Sequence, residues 1–195
     1  MDFTDLNHDG MVKALQVFRA KADSADWALV YFAGHGIEIN RVNYLIPIDA
    51  KLADSRDVKH ETVSYEDFVE AIGGARALRI IILDACRNNP FKANMHQTVA
   101  LRGSIDRGLA APPETEPGTL VVYSAKEGEA AIDGDGVNSP FALAFAKRLK
   151  TPGREVQRMF DDVRDDVLAA TGKRQQPYKY GSLPGARDFY FVAGK

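Results

Sequence analysis

The chain has 195 residues, 45% of them hydrophobic and 27% charged, with a formal net charge of −2. That is enough for one domain with a real core, and the charge balance offers no attraction to nucleic acid or to an anionic membrane. No apolar run approaches the roughly 20 residues of a spanning helix, no charged-then-apolar leader opens the chain, and the single cysteine, Cys86, excludes an intrachain disulfide and a Cys-rich metal site.

Met11, Leu15, Phe18 and Ala22 recur on one face and predict an amphipathic helix that opens at Asp9-Gly10. Trp27 to Ala33 is a short apolar run bounded by Gly34 and Gly36, the pattern of a buried strand. Ile37 to Ile48 alternates around Asn40-Arg41 and predicts a hairpin that ends at Pro47. Ser64 and Asp67 form a capping-box pattern, so a helix starts there and closes at Gly73-Gly74. Arg79 to Asp84 and Thr119 to Ser124 are two more buried strands. Ser139-Pro140 opens a helix that runs to about Lys150. Another spans Arg154 to Ala170, ended by Gly172, with a face rich in Asp and Arg. Asp188 to Val192 reads as a last strand. Strands alternating with helices predict an α/β, three-layer sandwich, a mostly parallel central sheet flanked by helices. Between Asn88 and Gly118 the periodicity fails and prolines gather at Pro90, Pro112, Pro113 and Pro117. Unstructured segments of that length in compact domains are usually functional or disordered.

Ligands of parallel sheets bind beyond the carboxyl ends of the strands. His35 follows the first buried strand and Cys86 the second, in Asp84-Ala-Cys-Arg87. If the two strands are neighbours, a thiol and an imidazole emerge at one edge. A thiolate is the nucleophilic form of cysteine, and a nearby histidine can take its proton. The N–H groups of Gly36 and Cys86 are candidates for an oxyanion hole. The competing reading of Cys86 is a small buried hydrophobe.

Tyr31-Phe-Ala-Gly-His-Gly36 followed by Asp84-Ala-Cys-Arg87 resembles the caspase–metacaspase superfamily, especially its bacterial caspase-like members. Its two key residues lie 51 positions apart here (86 − 35), close to the separation of about 50 known in caspases. The resemblance continues through Asn43-Tyr-Leu-Ile-Pro-Ile-Asp49, Tyr123-Ser124, Gly134-Asp-Gly-Val-Asn-Ser-Pro-Phe141 and Asp188-Phe-Tyr-Phe191. It implies one caspase-like catalytic domain over 1–195, with a large-subunit-like part to about residue 88, a linker over about 89–118 and a small-subunit-like part over 119–195. It implies a cysteine endopeptidase with Cys86 as nucleophile and His35 as base, acting on peptide or protein substrates, needing no cofactor and expected in the cytoplasm. The different-class alternative is a non-catalytic caspase-like module that binds partners, and another cysteine hydrolase or transferase on the same scaffold is also open.

Caspases line their primary pocket with arginines and a glutamine, and cut after aspartate. Their glutamine position is Asp84 here, as in metacaspases, which cut after arginine or lysine. An ungapped overlay of Tyr123-Ser-Ala-Lys-Glu-Gly128 on the family pattern puts Asp133 at a pocket arginine, with Ser124 also in the substrate-binding set. Carboxylates at these places attract guanidinium or ammonium and repel aspartate, so cleavage after Arg or Lys is expected. The competing readings are a strand-end carboxylate that caps a helix or turn for Asp84, and an Asp-Gly turn for Asp133. Some metacaspases need calcium, and Asp133-Gly-Asp135-Gly136 is a candidate for a hard cation, although their calcium ligands have no residue-by-residue match here. Many members cut their own linker; Arg102 and Arg107, each before a glycine, are the candidate self-cleavage positions. Metacaspases tend to have serine where this chain has Ala33. Members also begin with a strand, a helix and a second strand that find no counterpart before Met11; a second chain, an amino-terminal fragment removed by processing, a gene start placed too late or a modified fold would each account for this, the first two by completing the sheet.

Overall fold

The computed structural model describes residues 1–86, 95–96, 109–126, 131–132 and 138–194, with Cys86 described in its backbone. Among these residues one sheet of six strands runs through the chain. Helix α1 (His8–Ala22) starts earlier than Asp9-Gly10 suggests, because the Asn7 side chain caps it by accepting from the Gly10 N–H at 2.9 Å. Strand β1 (Trp27–Ile39) is thirteen residues long and passes straight through Gly34 and Gly36. The two glycines therefore do not bound it. The strand continues because a new neighbour takes over at His35: β2 (Val42–Ile46) pairs antiparallel from His35↔Ile46 to Ile39↔Val42. Asn40 and Arg41 make the turn with φ of 53° and 66°, the mirror-image hairpin turn whose twist matches that of the strands.

The short helix α2 (Val58–Glu61) and strand β3 (Val63–Ser64) lead into α3 (Tyr65–Ile72), where the predicted capping box is formed by Ser64 and Asp67. Strand β4 (Leu78–Cys86) is parallel to β1, and β5 (Thr119–Tyr123) is parallel to β4. Helices α4 (Pro140–Arg148) and α5 (Val156–Ala170) follow, then β6 (Tyr178–Ser182), antiparallel to β5. The order is β3-β2-β1-β4-β5-β6. The expectation of a mostly parallel sheet is thus too strong: the three central strands are parallel and the flanking pairs antiparallel, since one flank is a hairpin and the other a returning strand. The last strand is also not Asp188 to Val192. Tyr190 makes a single bridge to Glu155, and Phe189 is buried against Trp27 with ring centroids 5.3 Å apart, so this segment fills the core. The sheet edge is closed instead by β6, where a Cβ at Gly181 (φ 98°) would run into the Thr119 carbonyl oxygen.

Helices cover both faces. Ala28, Ile81, Leu83 and Val121 pack under α1 and α3 through Met11, Phe68 and Ile72. Ile80, Ile82, Leu120 and Val122 pack under α4 and α5 through Phe141, Phe160 and Val163. Each of the larger side chains among these, Ala28 apart, is worth about 1.5–3 kcal/mol over leaving it in water. On the face of α5 rich in Asp and Arg, one pair ties the two outer helices together: Arg148 of α4 donates to both Asp166 oxygens at 2.7 and 2.6 Å, while Arg154, just before α5, donates to both oxygens of Asp162. Among the described residues no helix is long and apolar enough to cross a membrane.

One stretch of the sheet has an open edge. In the two-residue turn, Ile39 and Val42 are the hydrogen-bonded pair, so by alternation Ile37 and His35 also present their backbone groups to β2, and Ala33, Tyr31 and Leu29 present theirs along the same edge. From Trp27 to Gly34 no described strand lies there.

Two outcomes follow from this architecture. Hydrogen exchange followed by NMR should find the amides of Leu29, Tyr31 and Ala33 exchanging at least ten times faster than those of Val30 and Phe32, which bond β4. The guanidinium of Arg148 bonds the Asp166 carboxylate and, against the cost of its partial burial, holds it below the ordinary value of 3.8, at about 2. A depressed carboxylate stabilises the fold above the unfolded value and loses that contribution as the pH falls from about 4 toward 2. Urea unfolding of Asp166→Asn should therefore lack that part of the acid destabilisation seen in the unaltered chain.

Candidate active site

The parallel ladder between β1 and β4 runs from Trp27↔Leu78 to His35↔Cys86. His35 and Cys86 are thus direct neighbours on adjacent strands, which lie about 4.8 Å apart, at the carboxyl end of the parallel core. His35 is exposed. It lines a groove of about 620 Å³ that follows the open edge of β1 and is also lined by Tyr31, Phe32, Ala33, Leu15 and Phe18 among others. Gly36 stands one residue beyond the His35–Cys86 pair and is buried. A Cβ there would come within 2.6 Å of Leu109 Cδ2, so a residue in the second half of the predicted linker rests on the glycine. The next residue is fixed: the buried Asn43 amide accepts from the Ala110 N–H at 2.7 Å and donates to the Ala110 carbonyl at 3.0 Å.

Asp84, two residues before Cys86, retains 8% of its surface. Its Oδ2 accepts from the Tyr31 hydroxyl at 2.8 Å and from the Ser139 hydroxyl at 2.6 Å. The same Ser139 oxygen accepts from the Ala142 N–H at 2.9 Å and caps α4. The helix-capping reading of Asp84 therefore has a real basis, one step removed, through Ser139. Burial first, then the adjacent Asp84 charge and the hydrogen bond, push the Tyr31 phenol far above its ordinary value, so it stays a donor at any working pH. Ser124 donates its N–H to the Leu83 carbonyl at 3.0 Å, which sets it beside Asp84 just past the end of β5; its Oγ is buried and has no hydrogen-bond partner among the described residues. Asp133, Arg102 and Arg107, and the Asp133-Gly-Asp135-Gly136 cluster, lie outside the described residues. Among the described residues no cluster of three His, Cys, Asp or Glu side chains could hold a metal ion.

The family model of the caspase domain, peptidase C14, matches residues 1–186. The chain belongs to the caspase-domain family. Its fold is that of the caspases: the crystal structure of caspase-1 from Spodoptera frugiperda matches with a TM-score of 0.62 at 15% sequence identity, over 97% of this chain and 74% of that one. No curated protein matches.

Sequence reasoning missed three contributors to this corner of the caspase domain. Tyr31 and Ser139 reach Asp84 from 53 and 55 positions away. Gln175 is fully buried; its amide donates to the Ser124 carbonyl at 2.8 Å and accepts from the Ile132 N–H at 2.9 Å, holding both ends of the segment between them. A glutamine in Lys173-Arg-Gln-Gln-Pro177 carries no sign of burial by itself; the proline that follows is the one local hint of a fixed turn. Gln175→Ala leaves the buried Ser124 carbonyl and the half-buried Ile132 N–H without this partner and should cost about 1–3 kcal/mol, read as a lower urea midpoint with an unchanged slope.

Proposed function

We propose that this chain is a cysteine endopeptidase that hydrolyses peptide bonds after Arg or Lys. The observation that carries this reading is the pairing of His35 with Cys86 at the carboxyl end of the parallel strands, in a chain of the caspase family. His35 takes the thiol proton of Cys86, and the thiolate attacks the scissile carbonyl carbon. The tetrahedral oxyanion meets the N–H groups of Gly36 and Cys86. The C–N bond breaks as His35 returns the proton to the leaving amine. Water, deprotonated by His35, then hydrolyses the thioester and frees the new carboxyl end. Asp84 supplies the negative charge that receives the basic side chain, and Ser124 and Asp133 belong to the same substrate-binding set. The open edge of β1 is where a strand from a second chain or a further segment adds to the sheet, next to His35.

Incubation of the chain with fluorogenic peptides ending in Arg, Lys or Asp tests the reading. Turnover is expected of the Arg and Lys peptides alone, with none above background in Cys86→Ala. Asp84→Asn should lower kcat/KM about 30-fold or more, the equivalent of losing at least ~2 kcal/mol from a buried charge contact. The same preference predicts Cys86-dependent cuts after Arg102 or Arg107, seen as two fragments by mass spectrometry. No turnover of any peptide, together with no labelling of Cys86 by a peptide electrophile, selects the non-catalytic module instead.

A further inference from the structure

The way Asp84 is held bears on which basic side chain it can read. A carboxylate offers about four lone-pair positions, two on each oxygen. Both positions of Oδ2 are used inside the protein, one by Tyr31 and one by Ser139. Oδ1 accepts no hydrogen bond from a described residue. Asp84 keeps 8% of its surface, so its side chain is not sealed from solvent. The bidentate grip of a guanidinium needs a free position on each oxygen. With Oδ2 saturated, one oxygen is left.

We infer that Tyr31 and Ser139 are positioning residues that set the arginine-to-lysine preference of this site. By saturating Oδ2 they cancel the fork contact that favours arginine, and a guanidinium and an ammonium are both read through Oδ1. This rests on the reading of Asp84 as the group that receives the basic side chain. The donors are permanent. The Tyr31 ring is stacked on Phe145 of α4 with centroids 6.0 Å apart, and Ser139 is fixed by capping the same helix. The phenol does not ionise in the working range.

The test uses the full chain and two small cations, benzamidine as a planar fork and benzylamine as a point charge, measured by calorimetry so that no turnover is needed. The unaltered chain should bind both within a few-fold of each other. Tyr31→Phe keeps the ring stack and frees one Oδ2 position; it should raise the benzamidine-to-benzylamine affinity ratio about tenfold, the size of one charge-assisted hydrogen bond. Ser139→Thr keeps both the cap and the hydroxyl and should leave the ratio unchanged. In peptide assays the Tyr31→Phe gain should fall on the KM of Arg substrates, with kcat unmoved. An unchanged ratio in Tyr31→Phe, while Asp84→Asn weakens both cations, overturns this inference and leaves the Asp84 pocket standing. Binding of neither cation, or indifference of both to Asp84→Asn, removes the pocket reading and the inference together.

Discussion

The register between β1 and β4 is the constraint on which the rest depends. From Trp27↔Leu78 to His35↔Cys86 each residue of one strand has a fixed partner on the other. The side-chain period of a strand is two, so a slip by one residue would turn every side chain to the opposite face. Such a slip would separate the histidine from the cysteine, and would also expose Ile80 and Ile82 to the wrong helices. The residues that enforce the register are the buried ones, packed on both faces. The site is thus located by the hydrophobic core, with its polar groups at the rim where the parallel strands end.

Asp84 joins three elements at that rim. It belongs to β4, its hydroxyl partners come from β1 and the start of α4, and each bond is shorter than 3 Å. A buried carboxylate without such partners is expensive. Here the hydroxyls take up one oxygen, and the amino-terminal end of α4 lies close enough for its positive dipole to favour the charge. On the proposed reading of Asp84 the arrangement serves structure and recognition at once, because the oxygen that meets the helix start is the one withdrawn from the substrate. Gln175 makes a comparable arrangement on the far side of β5, where backbone groups rather than charge are satisfied.

Much of this was legible in the sequence, and what was missed has identifiable causes. The apolar runs Trp27 to Ala33 and Arg79 to Asp84 were readable as strands because each is continuous, although both strands extend beyond the runs. The caps at Ser64 and Ser139 are local chemistry and were readable as such. β6 was missed because Tyr178, Lys179 and Gly181 look like a polar loop; the segment is an edge strand whose outer groups meet water. Asp188 to Val192 was misread because an aromatic run signals burial without saying what buries it: Trp27 stacks on Phe189 and Phe191 edge to face. The passage of β1 through Gly34 and Gly36 depends on β2, a tertiary partner that overrides the local reading of glycine as a breaker. In the site, the pairing of His35 with Cys86 could be anticipated because both follow strand signals. Tyr31 and Ser139 could not, since only the folded chain brings them to Asp84.

The exchange of partners along β1 also has a consequence in time. Its outer half pairs with β2 across a two-residue turn, a contact that can close as soon as Ile46 is made. Its inner half waits for Leu78 to Cys86, and the sheet waits again for Thr119 and then Tyr178. Local pairings form quickly and distant ones must first overcome the entropy of closing long loops. During synthesis the hairpin beyond His35 can therefore be set while its cysteine partner is still unmade. The two residues proposed to do the chemistry meet only when the slower, parallel half of the sheet assembles.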